Sequence, residues 1–436
     1  MIVIAPLIML AALLVLIGLG VPMAWAMGGV GSLFTIFLWG PDSLFGIVGR
    51  TMGWVGNFTI LAVPLFILMS VILEKVDLAE DLFDAVYKWA GGLRGGLAVA
   101  TIIVCTNLAA MTGIVAGAIV AMGVVALPAM RKRQYDKQMS VGSILAGGTL
   151  GILIPPSIII VTYALFSGLS VGKLLIGGII PGLLLSGMYI VYIIVRCFIQ
   201  KDLCPAPPKE ERASWGEKIT SLRNIILPCL LIIAVLGAIF SGIATPTEAA
   251  GVGAVGSIIC GLVLRRLTWK KLYEACMSTM TLSTYIMWII LSATFFAQVF
   301  TATGGIDLVS GIITALPFGK YGILAIMLLI LLVLGMFIDS FGIIAICVPI
   351  FMPIITAFKF DPLWFGVLFN ITMQIAYISP PFGYSLFALK AVAPPDVTTK
   401  DVLMSAIPFI AIQLICLLLI IFFPQIGIWL PNLMLK

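Results

Sequence analysis

Apolar runs long enough to cross a bilayer recur along this chain, separated by short polar or charged connections. They cover approximately 4–20, 22–40, 55–74, 96–130, 138–168, 174–200, 223–243, 249–264, 277–302, 320–358, 363–392 and 402–423. A hydrocarbon core takes a helix of roughly 20 residues, so most of these runs predict one span each. Two runs are too long. Residues 95–130 carry no charge, and one helix of about 36 residues would extend roughly 54 Å, far past a core of about 30 Å. Residues 320–358 repeat the pattern. An uncharged turn near Met111-Thr112-Gly113 is compatible with two ordinary spans, but the likeness of the two segments favours a re-entrant hairpin. Amphipathic stretches at 77–88 and 307–313 precede the two hairpins, each opens with Asp-Leu, and both fit interfacial helices.

The prolines give the repeat its register. Pro128, Tyr135-Asp136 and Pro155-Pro156 recur as Pro353, Phe360-Asp361 and Pro380-Pro381, and 353 − 128, 361 − 136 and 380 − 155 all equal 225. Each Pro-Pro sits inside an apolar run. Proline lacks an N–H and clashes with the preceding turn, so each run must break at membrane depth. Broken backbone survives there only against protein or a water-filled cavity. Two matched breaks in two halves point to a midplane binding site in a duplicated secondary transporter.

Composition narrows the class further. The chain is 62% hydrophobic and 10% charged, with mean hydropathy +1.24, which excludes an ordinary soluble domain. Its eight cysteines show no metal spacing and read as small packing residues. There is no histidine, which removes the commonest proton relay, metal ligand and general base. The net charge of +6 comes from loops and signals orientation, not nucleic acid. Residues 1–20 lack a basic n-region and are expected to stay as a first helix. Arg131-Lys132-Arg133, Lys137, the 201–223 loop, Arg265-Arg266 and Lys270-Lys271 are expected on the cytoplasmic side. The second-half counterpart of the Arg131 loop holds only Lys359 and is expected outside, which inverts the repeats and puts both termini outside. The loop 201–222 is too small to fold alone, so no soluble catalytic domain and no enzyme is expected.

Between Lys320 and Lys359 the only charged residue is Asp339, close to the predicted tip of the second hairpin. It reads either as part of a substrate or ion site or as a cap on the second arm of the hairpin, and the two roles can coexist. The other polar groups near the breaks are neutral. Thr106, Asn107, Thr112, Gly113, Thr149, Gly151 and Ser157 attend the first; Ser340, Asn370, Thr372, Gln374, Ser379, Tyr384 and Ser385 attend the second. Their oxygens suit a small cation, and half-helices resuming after Pro-Pro suit a carboxylate. A lone Ser or Thr more often bonds back to its own helix. Lys390 reads as the cytoplasmic end of its span rather than a buried clamp. Thr245-Pro246-Thr247-Glu248 reads as a capped helix start. The stretch 168–174 is one residue short of a P-loop, so ATP hydrolysis is not expected.

Four pieces carry a family likeness: Gly148-Thr149-Leu150-Gly151-Ile152-Leu153-Ile154-Pro155-Pro156-Ser157, Thr245-Pro246-Thr247-Glu248-Ala249-Ala250, Gly335-Met336-Phe337-Ile338-Asp339 and Ser379-Pro380-Pro381-Phe382-Gly383. With them the chain resembles the large membrane subunit of tripartite ATP-independent periplasmic (TRAP) transporters over essentially its whole length. The resemblance implies an all-α polytopic fold of inverted-repeat, elevator type, with two re-entrant hairpins and two broken helices. It implies scaffold helices at 1–75 and 169–303, transport elements at 76–168 and 304–392, and a terminal helix within 393–436. It also implies sodium as coupling ion with no other cofactor and no transition metal. The partners would be a small four-helix membrane subunit, a periplasmic substrate-binding protein and the lipid bilayer of a bacterial inner membrane, with neither nucleic acid nor ATP. Sodium is expected near Met111, Thr112, Gly113, Gly151, Pro155 and Ser157, and near Gly335, Asp339, Ser379 and Pro381. A small carboxylate, such as a dicarboxylate or 2-oxo acid, is expected between the tips, near Asn107, Thr112, Ser157, Asp339, Ser340, Asn370, Thr372, Gln374, Tyr384 and Ser385. The first tip departs from the Ser-Gly-Ser-Ser of many members. A stand-alone sodium/dicarboxylate carrier and a passive channel remain alternatives.

Overall fold

The computed structural model describes residues 4–76, 78–90, 92–113, 115–206, 213–314, 317–381 and 383–434, and among these the regular structure is helical throughout. The chain opens with α1 (Ala5–Gly18), α2 (Met23–Trp39), α3 (Phe45–Val55), α4 (Ala62–Lys75) and α5 (Leu78–Ala90). Next come α6 (Gly96–Thr112), α7 (Val115–Lys132), α8 (Lys137–Thr149) and α9 (Ile158–Ser167). The middle holds α10 (Val171–Ile199), α11 (Trp215–Ser221), α12 (Arg223–Phe240), α13 (Pro246–Val263), α14 (Trp269–Ala302) and α15 (Gly305–Thr314). The rest is α16 (Lys320–Phe337), α17 (Ser340–Ala357), α18 (Pro362–Ile378), α19 (Tyr384–Val392), α20 (Thr399–Phe422) and α21 (Gln425–Leu433). Among the described residues, 8 helices are long and apolar enough to cross a membrane.

Both over-long runs fold as helical hairpins, α6 against α7 and α16 against α17. Both proline-interrupted runs are broken: α8 gives way to α9, and α18 to α19. Pro155-Pro156 and Pro380-Pro381 are both cis. The starts of α6, α7, α8 and α9 recur 224, 225, 225 and 226 residues later as the starts of α16, α17, α18 and α19 (320 − 96, 340 − 115, 362 − 137, 384 − 158). The repeated aspartates have a local cause. Asp136 caps α8 by accepting from the Met139 amide at 2.9 Å, and Asp361 caps α18 by accepting from Leu363 and Trp364 at 2.8 and 3.1 Å. Amphipathic α5 and α15 lie where the sequence places them; Asp77, at the head of the first stretch, falls outside the described residues.

The two broken helices form the centre. Met139–Thr149 of α8 and Trp364–Ile378 of α18 are buried all round, as expected of helices without a polar face. They are surrounded by the hairpins and by α10 and α20, while α2, α4, α13 and α14 pack together as a second group. Helix α7 packs on α19, and its counterpart α17 packs on α9. Small residues permit the close approaches. A Cβ on Gly148 would meet the Ile119 side chain, and one on Gly178 of α10 would meet the Leu153 carbonyl inside the first break.

Several elements differ from the sequence reading. The run at 277–302 belongs to a 34-residue helix that begins at Trp269. Thr268 caps it by accepting from the Lys271 amide, so the basic stretch continues the helix. The sequence reading passed over α3 and α21 because neither has a full-length apolar run. The 201–222 loop contains α11, started by a Ser214/Glu217 capping box, and residues 207–212 of it fall outside the described residues. The Thr245/Glu248 pair is likewise a capping box, at the start of α13.

The Gly178 contact is with backbone, which cannot rotate away. Gly178→Ala should push α10 off the first break and cost about 1–3 kcal/mol, the usual range for overpacking. A lowered melting temperature of the detergent-purified protein checks this; unchanged melting would mean that the break is not seated on α10.

Candidate functional site

The two hairpin tips and the two breaks meet around one cavity of about 340 Å³. Four helices begin at its wall. Val115 and Ala116 open α7, Ile158 and Ile159 open α9, Phe341 lies in the first turn of α17, and Tyr384 opens α19. Each hairpin must reverse before its second arm starts, and each broken helix must restart after Pro-Pro, so the sequence that makes the interruptions also gathers helix N-termini. N-terminal turns carry unpaired N–H groups and partial positive charge, so their convergence favours an anion. Helix α14 faces the same space with Leu282, Tyr285 and Ile286, and α4 with Ile67.

The tips are held by specific contacts. Gly113 ends α6 at φ +57°, and a Cβ there would collide with the Pro156 carbonyl, so the first tip touches the first break through a residue without a side chain. The side chain of Thr112 and all of Ile114 fall outside the described residues. Asp339 starts α17 by accepting from the Phe341 amide at 3.1 Å. Its other oxygen accepts from the Tyr377 hydroxyl at 3.1 Å, and that hydroxyl also accepts from the Ser340 amide at 3.3 Å. Tyr377 precedes the second Pro-Pro by three residues, so the second tip is tied to the second break. The Tyr377 and Tyr384 rings lie 5.5 Å apart.

Gly113, Asp339 and Tyr384 are therefore the expected site residues that line the cavity. Ser157 caps α9 and donates to the Ile152 carbonyl at 2.7 Å, across the break that holds buried Gly151 and Pro155. Ser340 is buried beside Asp339, Ser379 donates to the Ile375 carbonyl at 2.7 Å, Ser385 is buried, and Pro381 is exposed. Gly335 sits in α16, where its missing Cβ lets the helix approach Ala376 of α18. Asn107, Asn370, Thr372 and Gln374 lie outside the lining. Three of them bond back to carbonyls of their own helices, those of Ile103, Gly366 and Leu368, and Gln374 bonds to Thr149. Met111 lines a different cavity of about 280 Å³, together with Glu74 and Glu80. Sequence reasoning missed Tyr285 and Tyr377. Tyr377 was open to discovery as the aromatic flanking Ser379-Pro380-Pro381, whereas Tyr285 carries no motif.

Asp339 is the one charged residue on the described lining. Lys390, the nearest base in sequence to the second break, donates to the Val397 carbonyl at 2.5 Å and does not line it. Among the described residues no three His, Cys, Asp or Glu side chains gather in a metal-holding group. An ion here would be held by one carboxylate, hydroxyls and carbonyls freed at the breaks, a donor set for a hard cation.

Interrupted helices buried inside a many-span bundle, with their loose ends turned onto one cavity, define an all-α polytopic membrane protein of transporter fold. The crystal structure of the Alcanivorax borkumensis YdaH transporter shares that fold, with a TM-score of 0.64 over 98% of both chains at 16% identity. Residues 10–426 match the family described as tripartite ATP-independent periplasmic transporter, DctM component, and the chain belongs to that family. It is 34% identical over 407 residues to the C4-dicarboxylate TRAP transporter large permease protein DctM of Pseudomonas aeruginosa, covering 93% of each. To its counterpart in Vibrio cholerae it is 32% identical over 442 residues, covering 95% of each.

Tyr377→Phe removes the hydroxyl that bridges Asp339 and the Ser340 amide. A hydrogen bond to a charged group contributes about 1.5–3 kcal/mol, so transport should fall roughly tenfold or more with normal membrane insertion. Initial uptake rates normalised to expression test this; wild-type rates would show that the Phe341 amide alone fixes Asp339.

Proposed function

We propose that this permease is a sodium-gradient-driven, binding-protein-dependent importer of a small carboxylate. It works with a small four-helix membrane subunit and a periplasmic substrate-binding protein in a bacterial inner membrane. The two hairpins and two broken helices, within 76–168 and 304–392, form a transport unit that moves as an elevator against scaffold helices at 1–75 and 169–303. The repeats are inverted across the bilayer, and both termini are periplasmic. The names of the two relatives make a C4-dicarboxylate the first substrate to test.

One observation carries this reading: four helix starts favour an anion in the cavity, yet its single described charge is the carboxylate of Asp339. Two negative groups in one cavity repel each other, and no described lining base offsets them. A cation bound between the second tip and its break resolves the conflict. It also makes binding of acid and ion mutually dependent, which is the condition for symport. The ion is assigned to the neighbourhood of Gly113, Gly151, Pro155 and Ser157 at one end and of Gly335, Asp339, Ser379 and Pro381 at the other, where interrupted helices leave carbonyls without intrahelical partners.

Purified permease with its small subunit, reconstituted in proteoliposomes with the cognate binding protein and labelled succinate, tests the reading. Uptake should require both an inward sodium gradient and the binding protein. Uptake undiminished without the binding protein favours a stand-alone carrier, and uptake undiminished after the gradient collapses favours a channel. Asp339→Asn should lower sodium-driven uptake at least about tenfold, since an ion at this depth loses its one charged ligand, while insertion stays normal. Wild-type uptake by that variant would return Asp339 to a cap alone. Pro380→Ala should impair sodium dependence by letting α18 continue; an unchanged sodium requirement would count against an ion at the second break.

A further inference from the structure

The hydrogen bond from Gln374 to Thr149 joins residues 225 positions apart, the same offset that separates the two Pro-Pro breaks. A contact between equivalent positions of two copies lies on the two-fold axis that relates them. The wider packing agrees, since α8 touches its counterpart α18, and α7 on α19 is matched by α17 on α9. Thr149 is the last residue of α8, and Gln374 lies about one turn before the end of α18, so the pair sits where both helices break.

Two more helices close this junction. Gln413 of α20 donates to the same Thr149 hydroxyl oxygen at 3.4 Å, against 3.2 Å for Gln374. Helix α10 packs on α8, α18 and α20 and brings Tyr189 to the junction, its hydroxyl within interaction range of all three side chains but in hydrogen-bond contact with none. All four residues are wholly buried. The Thr149 hydroxyl proton goes to the Ala146 carbonyl at 2.9 Å, so both amides present N–H to Thr149. Their carbonyl oxygens and the Tyr189 hydroxyl are left without a hydrogen-bond partner. Buried oxygens in a polar setting are completed by internal water.

We propose that Thr149, Gln374, Gln413 and Tyr189 form a water-completed junction on the axis that holds the two breaks in one register. They are positioning residues. None lines the tip cavity, so they act through the break loops and not on the cargo. The functional consequence, that loosening the junction loosens both ion sites together, rests on the sodium reading above; the geometry does not.

Hydrogen exchange of the purified permease, in sodium chloride and in choline chloride, tests the junction on peptides covering 150–157 and 379–383. Sodium should protect both breaks of the wild type with a common midpoint. Thr149→Val keeps the shape and removes the hydroxyl, and should raise the midpoint at both breaks at least about threefold, within the range expected for coupling through packed networks. Thr149→Ser should restore it. Unchanged midpoints at wild-type melting temperature, or a shift confined to the first break, overturn the proposal. If sodium protects neither break of the wild type, the sodium reading fails and the junction is judged in choline alone. There, Thr149→Val must speed exchange at 379–383, on the other helix, and no change refutes it. A cryo-electron microscopy map that resolves water gives a variant-free check, because an empty space among these oxygens would also refute it.

Discussion

A membrane interior offers no water to an unpaired carbonyl or amide, and that constraint organises this protein. Two helices are interrupted by paired prolines, and every loose backbone group thus created needs shelter from lipid. The fold supplies much of it by burying Met139–Thr149 of α8 and Trp364–Ile378 of α18 and laying a hairpin tip against each break, while Pro380 and Pro381 stay exposed. The glycine at position 113 matters because a side chain would collide with the Pro156 carbonyl. Asp339 and Tyr377 do the same work at the other end with hydrogen bonds in place of bare contact.

The chemistry of the cavity follows from the interruptions. Helices that stop and restart turn their N-terminal ends onto the gap, so the backbone itself makes the space attractive to an anion without a lysine or arginine on the described lining. That leaves Asp339 as the residue out of keeping with the rest. Its hydrogen bonds show that it is a helix cap, and it stands on the cavity wall as well.

Much of this was legible in the sequence because proline, glycine and aspartate act locally. The 225-residue offset, both breaks, both hairpins and the cap at Asp339 follow from residues that dictate backbone within a turn or two, whereas Asp136 and Asp361 stand out only as repeated residues and the structure shows them to be caps. The side-chain partners were not legible. Asn107, Asn370 and Thr372 look like ligands in a sequence, yet each bonds to a carbonyl one turn back, the low-cost choice for a polar group in an apolar helix. Tyr285 reaches the cavity through tertiary packing of α14 alone, and no motif marks it. Helices α3 and α21, of 11 and 9 residues, are too short to stand out as apolar spans.

The junction between Thr149 and Gln374 carries a last implication, for how a duplicated chain diverges. A hydrogen bond has a direction, from donor to acceptor, and a two-fold axis has none. Two identical hydroxyls facing each other across the axis cannot both donate along one line, whereas two identical amides would have to pair reciprocally. Here one copy offers a short hydroxyl already committed to its own helix, and the other a longer amide that reaches across to it. On the axis this fold thus uses an unlike pair joined by one directed bond, however alike the halves remain elsewhere.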